Sequence, residues 1–242
     1  MSQLVFRIDE ISELALQVMQ AILSKEDEAK EIMQDASGSL TLASALSDFF
    51  QIASALDMDS SNMDSDDWQD FASYGLSLLD RQSYLVRQLE LMDQRPKVVC
   101  VIPSLAVWLV RHQAVIDNLE GTADGFGMIV NGLNEPKELA EMCLLMDEVI
   151  EATSERLQFD EDRSNTWRPW RVINLNSGIA ATRSLDAELM ECIFAKLSQR
   201  LPYDMPSFFA DGKKQMMLQN VPDEVKAVMD RYAEKWSNNR YH

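Results

Sequence analysis

Histidine is almost missing from this chain: His112 and His242 are the only two in 242 residues. Cysteine is nearly as scarce, with Cys100, Cys143 and Cys192 at long spacings, each inside an apolar stretch. This pattern excludes a disulfide framework and a zinc site built from CxxC pairs or a Cys/His cluster. Isolated apolar thiols are expected to be buried and free, as in a reducing compartment. No HExxH, GxSxG or paired ExxH motif occurs, so neither a zinc protease, a hydrolase nucleophile elbow nor a di-iron bundle is indicated. Gly121, Gly125 and Gly127 do not follow the GxGxxG order, and no GK[ST] follows them, which excludes a phosphate loop. Long hydrophobic runs are absent too. The longest, Val98 to Val110, is broken by Pro103 and Ser104 and is too short to span a bilayer. The N-terminus has no basic segment leading into an apolar core, so the expected location is the cytoplasm.

Positive charge is the remaining shortage. The 40 acidic side chains outnumber the 22 basic ones, for a formal charge of −18. Residues 1–95 hold 18 acidic and 6 basic side chains, and residues 96–242 hold 22 and 16. A polyphosphate must be neutralised by Lys and Arg, so nucleic acid is not expected as a partner. The same charge repels anionic membrane surfaces. Solubility and self-repulsion account for the imbalance; the sharper reading is an acidic face that docks a basic partner or mimics nucleic acid.

What the chain does have is helical periodicity in almost every window. Leu4, Ile8, Ile11, Ala15, Val18 and Ile22 form one stripe at steps of three and four, opposite Glu10, Glu13, Gln17 and Gln20. Ser37-Gly38-Ser39 marks a break, and Leu42, Leu46, Phe49 and Leu56 a second helix. A third starts near Asp66, uses Trp68, Phe71, Gly75, Leu78, Leu85, Leu89 and Met92, and ends at Arg95-Pro96. Val98 to Ile102 has the composition of a buried strand, yet the apolar pattern runs on through Trp108 to Leu119 and favours a helix over about 97–119; both readings stay open. The glycines of Gly121 to Gly132 predict a loop or a broken helical turn. Pro136 fits the first turn of a further helix reaching Leu157. Beyond 'NTWRPWRV', a helix is expected from Ser184 as its N-cap, burying Leu185, Leu189, Cys192, Ile193 and Leu197. Two shorter helices follow, about 207–218 and 222–236. No internal repeat aligns with itself. Around Trp68, Phe71, Ala72 and Pro96 some of the spacing of a tetratricopeptide unit is met, but Gly75 and Tyr84 occupy its inner positions and no second copy follows.

The fold class is therefore all-α: an irregular helical bundle or a stack of helical hairpins, with roughly nine or ten helices. Residues 1–242 are read as a single helical domain, whose one candidate seam lies near 95–97.

Two segments concentrate chemistry. In 'DMDSSNMDSDDW', Asp57, Asp59 and Ser61 match positions of a calcium loop, but Trp68 stands where a bidentate Glu is required. A hard cation would be at least one ligand short, so capping of adjacent helices is the plainer role. The related string Asp160, Asp162, Ser164, Asn165 ends on Arg171 and fits worse. The other segment, 'DRSNTWRPWR', places Arg163, Arg168 and Arg171 among Trp167 and Trp170. Trp and Arg are the residue types most often found as binding hot spots, and Arg forks bind carboxylate or phosphate. The alternative is that the tryptophans anchor a loop while the arginines pair with Asp160 and Glu161. His112, alone on a helix, reads as structural or surface.

The expectation from sequence is a non-enzymatic adaptor or scaffold that binds another protein through a helix-lined groove. Trp167, Arg168, Trp170, Arg171 and Arg163 form its contact site, and no cofactor or metal is expected. The alternative is a small-molecule binder or enzyme with an arginine-containing anionic-ligand site among the helices, using Glu148 or Glu151 as acid/base groups.

Overall fold

Among residues 4–29, 37–159, 164–217 and 221–237, which the computed structural model describes, the apolar periodicity resolves into eleven α-helices. No strand occurs there; a single isolated bridge joins Ile116 and Thr153. The chain divides into two compact units, Met1–Ile129 with Glu151–Phe159, and Val130–Ile150 with Asp160–His242. The first holds 23 acidic and 9 basic side chains, net −14, and the second 17 and 13, net −4. Residues 95–97 lie inside the first unit, where Pro96 sits in the opening turn of a helix.

In the first unit, α1 (Ile8–Ala29), α2 (Ser37–Met58), α3 (Ser65–Gln88) and α4 (Arg95–Arg111) pack on one another. The stripe Ile8, Ile11, Ala15, Val18, Ile22 is buried as its spacing requires. By length and composition α2 resembles a membrane span over Gly38–Met58, yet its apolar stripe, Leu42, Leu46, Phe49, Phe50 and Ala53, is buried in the unit's core. Phe49 stacks on Phe71 with ring centroids 4.4 Å apart. It also lies directly over Gly75, where any side chain would collide with it. The inward face of α3 is completed by Gln82 and Val86 rather than Leu85 and Leu89. Gln82 is satisfied by donating to the Ala15 carbonyl of α1 at 2.8 Å, as a buried amide must be.

Residues 98–102 are helical, part of α4, whose residues from Cys100 to Leu109 are all buried. Burial on every side removes the amphipathic signal, which is why strand and helix look alike in the sequence. The helix stops at Arg111 instead of continuing to 119. Gln113 takes φ 66, and the chain runs on extended so that Ile116 N–H bonds Ala152 O (2.8 Å) and Ser154 N–H bonds Ile116 O (2.9 Å). Beside that bridge Asp117 accepts from Arg156 Nη2 at 2.8 Å and from Ser154 Oγ. The Arg156 hydrogen bond holds the Asp117 carboxyl below its ordinary value of 3.8. A carboxyl depressed in the folded chain stabilises it above the ordinary value, and that contribution is lost as the pH falls through the folded one. Carboxyl NMR titration should therefore show Asp117 moving back up in Arg156→Ala; an unmoved midpoint would contradict the pairing.

The glycine-rich stretch expected to be a loop or a broken helical turn is a continuous helix, α5 (Glu120–Gly132). Gly121 and Gly125 serve close approach, not breaking. A Cβ at Gly125 would lie 2.5 Å from Pro103 Cγ, and one at Gly121 would meet Asp80 and, at 2.9 Å, Ile102. The short α7 (Glu155–Gln158) also belongs to the first unit.

The second unit contains α6 (Pro136–Glu151, up to Ile150), α8 (Pro169–Arg183), α9 (Ala187–Arg200), α10 (Met205–Met217) and α11 (Asp223–Ser237). The sequence does not advertise α8, because Asn174, Ser177 and Gly178 look like loop residues. All three are buried; Asn174 Nδ2 donates to Trp170 O at 2.9 Å, and Gly178 faces Phe208 and Leu197 too closely for a side chain. The N-cap of α9 is Asp186, which accepts from the backbone of Glu188 and Leu189 (3.0 Å each). Ser184 instead closes α8, and Leu185 is exposed at φ 58. Cys143 is buried and its thiol pushed up to about 11 by burial, an inert group. Cys192, expected inside, is exposed, because Met190, Ile193, Phe194 and Leu197 take the inward face of α9. Phe194 centres an aromatic cluster with Phe208, Phe209 and Tyr232, at centroid distances of 4.9 to 5.9 Å.

Candidate functional site

The segment before α8 is a knot of local and long-range hydrogen bonds. Asn165 Oδ1 accepts from the Trp167 backbone at 2.9 Å, a side-chain turn that reverses the chain. Pro169 then enters the first turn of α8 without losing a helical hydrogen bond. Both flanking arginines reach one carboxylate. Arg168 Nη2 lies 3.3 Å from Asp204 Oδ2, and Arg171 Nε lies 2.5 Å from Asp204 Oδ1. Their remaining donors fasten the turn, Arg168 Nη1 to Asn165 O (3.0 Å) and Arg171 Nη1 to Thr166 O (2.9 Å). Asp204 in turn holds the start of α10, its carbonyl accepting from Phe208 N at 3.0 Å. With side-chain exposures of 11%, 23% and 16% for Arg168, Arg171 and Asp204, the knot is partly desolvated and rigid.

The two tryptophans have opposite fates. Trp170 is buried, and its indole N–H has no hydrogen-bond partner among the described residues. Trp167 is 82% exposed, and Tyr203 is 73% exposed. Each is the chain neighbour of one end of the Arg168–Asp204 pair, so the ion pair carries an exposed aromatic on either side. Arg163, together with Asp160 and Glu161, lies outside the described residues. Among the described residues, the carboxylate that both arginines reach is 33 and 36 residues away. Nothing local in the sequence signals it.

Arg171 and Asp204 also form one wall of a groove of about 720 Å³ in the same unit. Its floor is apolar, with Leu139, Leu175, Ile179, Phe208, Met216 and Met229. Arg183, a second arginine on its rim, donates to the backbone carbonyls of Val130 (2.7 Å) and Leu133. Both rim arginines are thus engaged by the protein itself, and the surface left for a ligand is mainly apolar. Glu148 of α6 is not among the groove's walls, so this geometry does not place the expected acid/base group there.

The calcium-like loop is spent on capping. Asp57 accepts from Trp108 Nε1 at 2.8 Å and faces His112 Nε2 at 3.5 Å. Asp59 accepts from the Ser61 backbone (3.0 Å), and Asp64 caps α3 in a reciprocal box with Asp67. Asp160 and Asp162 of the second string lie outside the described residues. The described residues contain no group of three or more His, Cys, Asp or Glu able to hold a metal. His112 stacks between Trp108 and Trp68, with centroids 4.1 and 5.3 Å away, and Nδ1 donates to Trp108 O at 2.8 Å.

No protein-family model, curated protein or solved structure matches this chain.

Proposed function

We propose that the chain is a non-enzymatic helical adaptor whose second unit holds a short amphipathic segment of a partner protein. Trp167 carries the reading. An indole left almost wholly in solvent, on a turn that two arginines and a carboxylate tie down, is presented for contact by a backbone already ordered before binding. Tyr203 extends it on the other side of the ion pair, and the groove beside Arg171 and Asp204 offers an apolar seat for the partner's side chains. The arginines are occupied by Asp204 and by backbone oxygens, so the partner is selected by its apolar face more than by phosphate or carboxylate. The overall charge of −18 favours a neutral or basic segment.

Both exposed aromatics can be removed without touching the core. Trp167→Ala with Tyr203→Ala should leave stability within about 0.5 kcal/mol of wild type. Partner affinity should fall by roughly thirtyfold or more, the loss typical of a hot spot. Quantitative affinity capture from the source extract, followed by titration of the captured protein, checks this; unchanged affinity in the folded double variant would remove the site. Trp170→Ala is unsuitable for the purpose, because that side chain is buried.

One observation favours a second reading. The groove's volume of about 720 Å³ falls within the span of small-molecule sites. A single metabolite class that raises the melting temperature reproducibly, and does so less in Ile179→Lys, would favour that ligand over a protein segment.

A further inference from the structure

The first unit contains a separate cleft of about 370 Å³ lined by α3, α4 and α5, with charges of both signs among its walls. At one end stand Arg87, in the last turn of α3, and Arg95, which opens α4. At the other end stand Asp80, Glu120 and Asp124. Between them the cleft is lined by apolar side chains of α4, including Val98 and Ile102.

In a unit with 23 acidic and 9 basic side chains, an arginine has abundant carboxylates to choose from. These two take none. Arg87 makes no ion pair among the described residues, and the Arg95 guanidinium reaches only the sulfur of Met128, at 3.7 Å. The acidic end is equally short of cations. Asp80 is half-buried and accepts from Asn118 Nδ2 at 2.6 Å. Burial pushes its carboxyl above the ordinary range despite that hydrogen bond, and Glu120 and Asp124 push the same way. A positive group placed among the three carboxylates would relieve this, and an anion would satisfy the arginines. The spacing along α3 sets the scale of the molecule that does both. Asp80 and Arg87 are seven residues apart on α3, about 10 Å by helical rise, longer than the separation of charges within an α-amino acid.

We propose that this cleft binds a short amphoteric molecule, with an ammonium group at one end, a carboxylate at the other and an apolar spacer between them, of the length of an ω-amino acid or a dipeptide. The ammonium sits among Asp80, Glu120 and Asp124, the carboxylate is held by Arg87 and Arg95, and the spacer lies over Val98 and Ile102. This site is independent of the surface proposed for a protein partner, and either can fail without the other.

The test is titration of the full chain with ε-aminocaproate, followed by backbone amide NMR at physiological salt, where loose surface attraction is screened. Caproate and hexylamine, each keeping one charge at the same length, are the controls. The expected result is saturable binding of ε-aminocaproate with shifts at α3, α4 and α5, and binding of either control weaker by about tenfold or more. Arg87→Ala with Arg95→Ala, both exposed positions, should abolish that preference while the spectrum stays folded. No saturable binding at millimolar probe would overturn the proposal. So would binding unchanged in the double variant, or hexylamine binding as well as ε-aminocaproate.

Discussion

Asp204→Ala is expected to destabilise the chain by about 2–4 kcal/mol, the largest effect of any single change near the candidate site. Removing the carboxylate takes from two partly desolvated guanidiniums the counter-charge they share. Breaking a fully buried pair costs about 3–5 kcal/mol, and the residual solvent access of these three side chains brings the figure down. Denaturant unfolding should show the loss, along with a fall in melting temperature on the order of 5–15 °C. Asp204→Asn keeps hydrogen-bond acceptance by one oxygen and should lose less. A neutral Asp204→Ala would mean that the turn bearing Trp167 is not held by the knot, and so does not present the indole in a fixed place before it meets a partner.

The second large effect concerns the helix that the sequence disguises. Gly125→Val places new atoms against the Pro103 ring, with Cβ 2.5 Å from Pro103 Cγ and 3.0 Å from the Val99 carbonyl oxygen. A proline ring and a helix backbone cannot swing aside as a flexible side chain does, so α4 and α5 must separate. The expected cost is about 3 kcal/mol, at the top of the usual range for overpacking. Gly132, near the other end of the same helix, has nothing within 4 Å of an added Cβ. Gly132→Ala should therefore be neutral or stabilise by up to about 1 kcal/mol through helix propensity and a less flexible unfolded chain. Opposite signs at two glycines of one helix, read by denaturant titration, separate a packing role from a breaking one. Equal and small effects would contradict the close approach.

These cases show how much of the fold the residues announce. The stripe on α1 is legible because one face is buried and the other wet, so local spacing carries the information. In α5 and α8 the deciding contacts are distant in sequence. Gly125 is glycine because of Pro103, and Asn174 is tolerated inside α8 because its amide reaches the Trp170 carbonyl. A reader who has only composition sees loop residues in both. Cys192 and Leu185 fail for a related reason: α9 starts only after Asp186, which leaves Leu185 outside it, and the buried stripe Met190, Ile193, Phe194 and Leu197 leaves Cys192 off the inward face. The candidate site divides in the same way. The density of Trp and Arg at Trp167–Arg171 is visible in the sequence, while Asp204, Tyr203 and the groove are brought there only by folding. Arg87 and Arg95, which pair with no carboxylate among the described residues, give no signal at all, since two arginines eight residues apart across a chain turn look like ordinary surface charge.

The most direct test of the adaptor reading is site-specific photo-cross-linking in the source extract, with a benzophenone amino acid in place of Trp167. Tyr74, exposed on the first unit, serves as the control position. One protein joined in high yield from position 167, and not from position 74, is the predicted result. An extract in which position 167 yields no adduct above the control, while the chain still captures a partner, would place binding elsewhere and contradict the account.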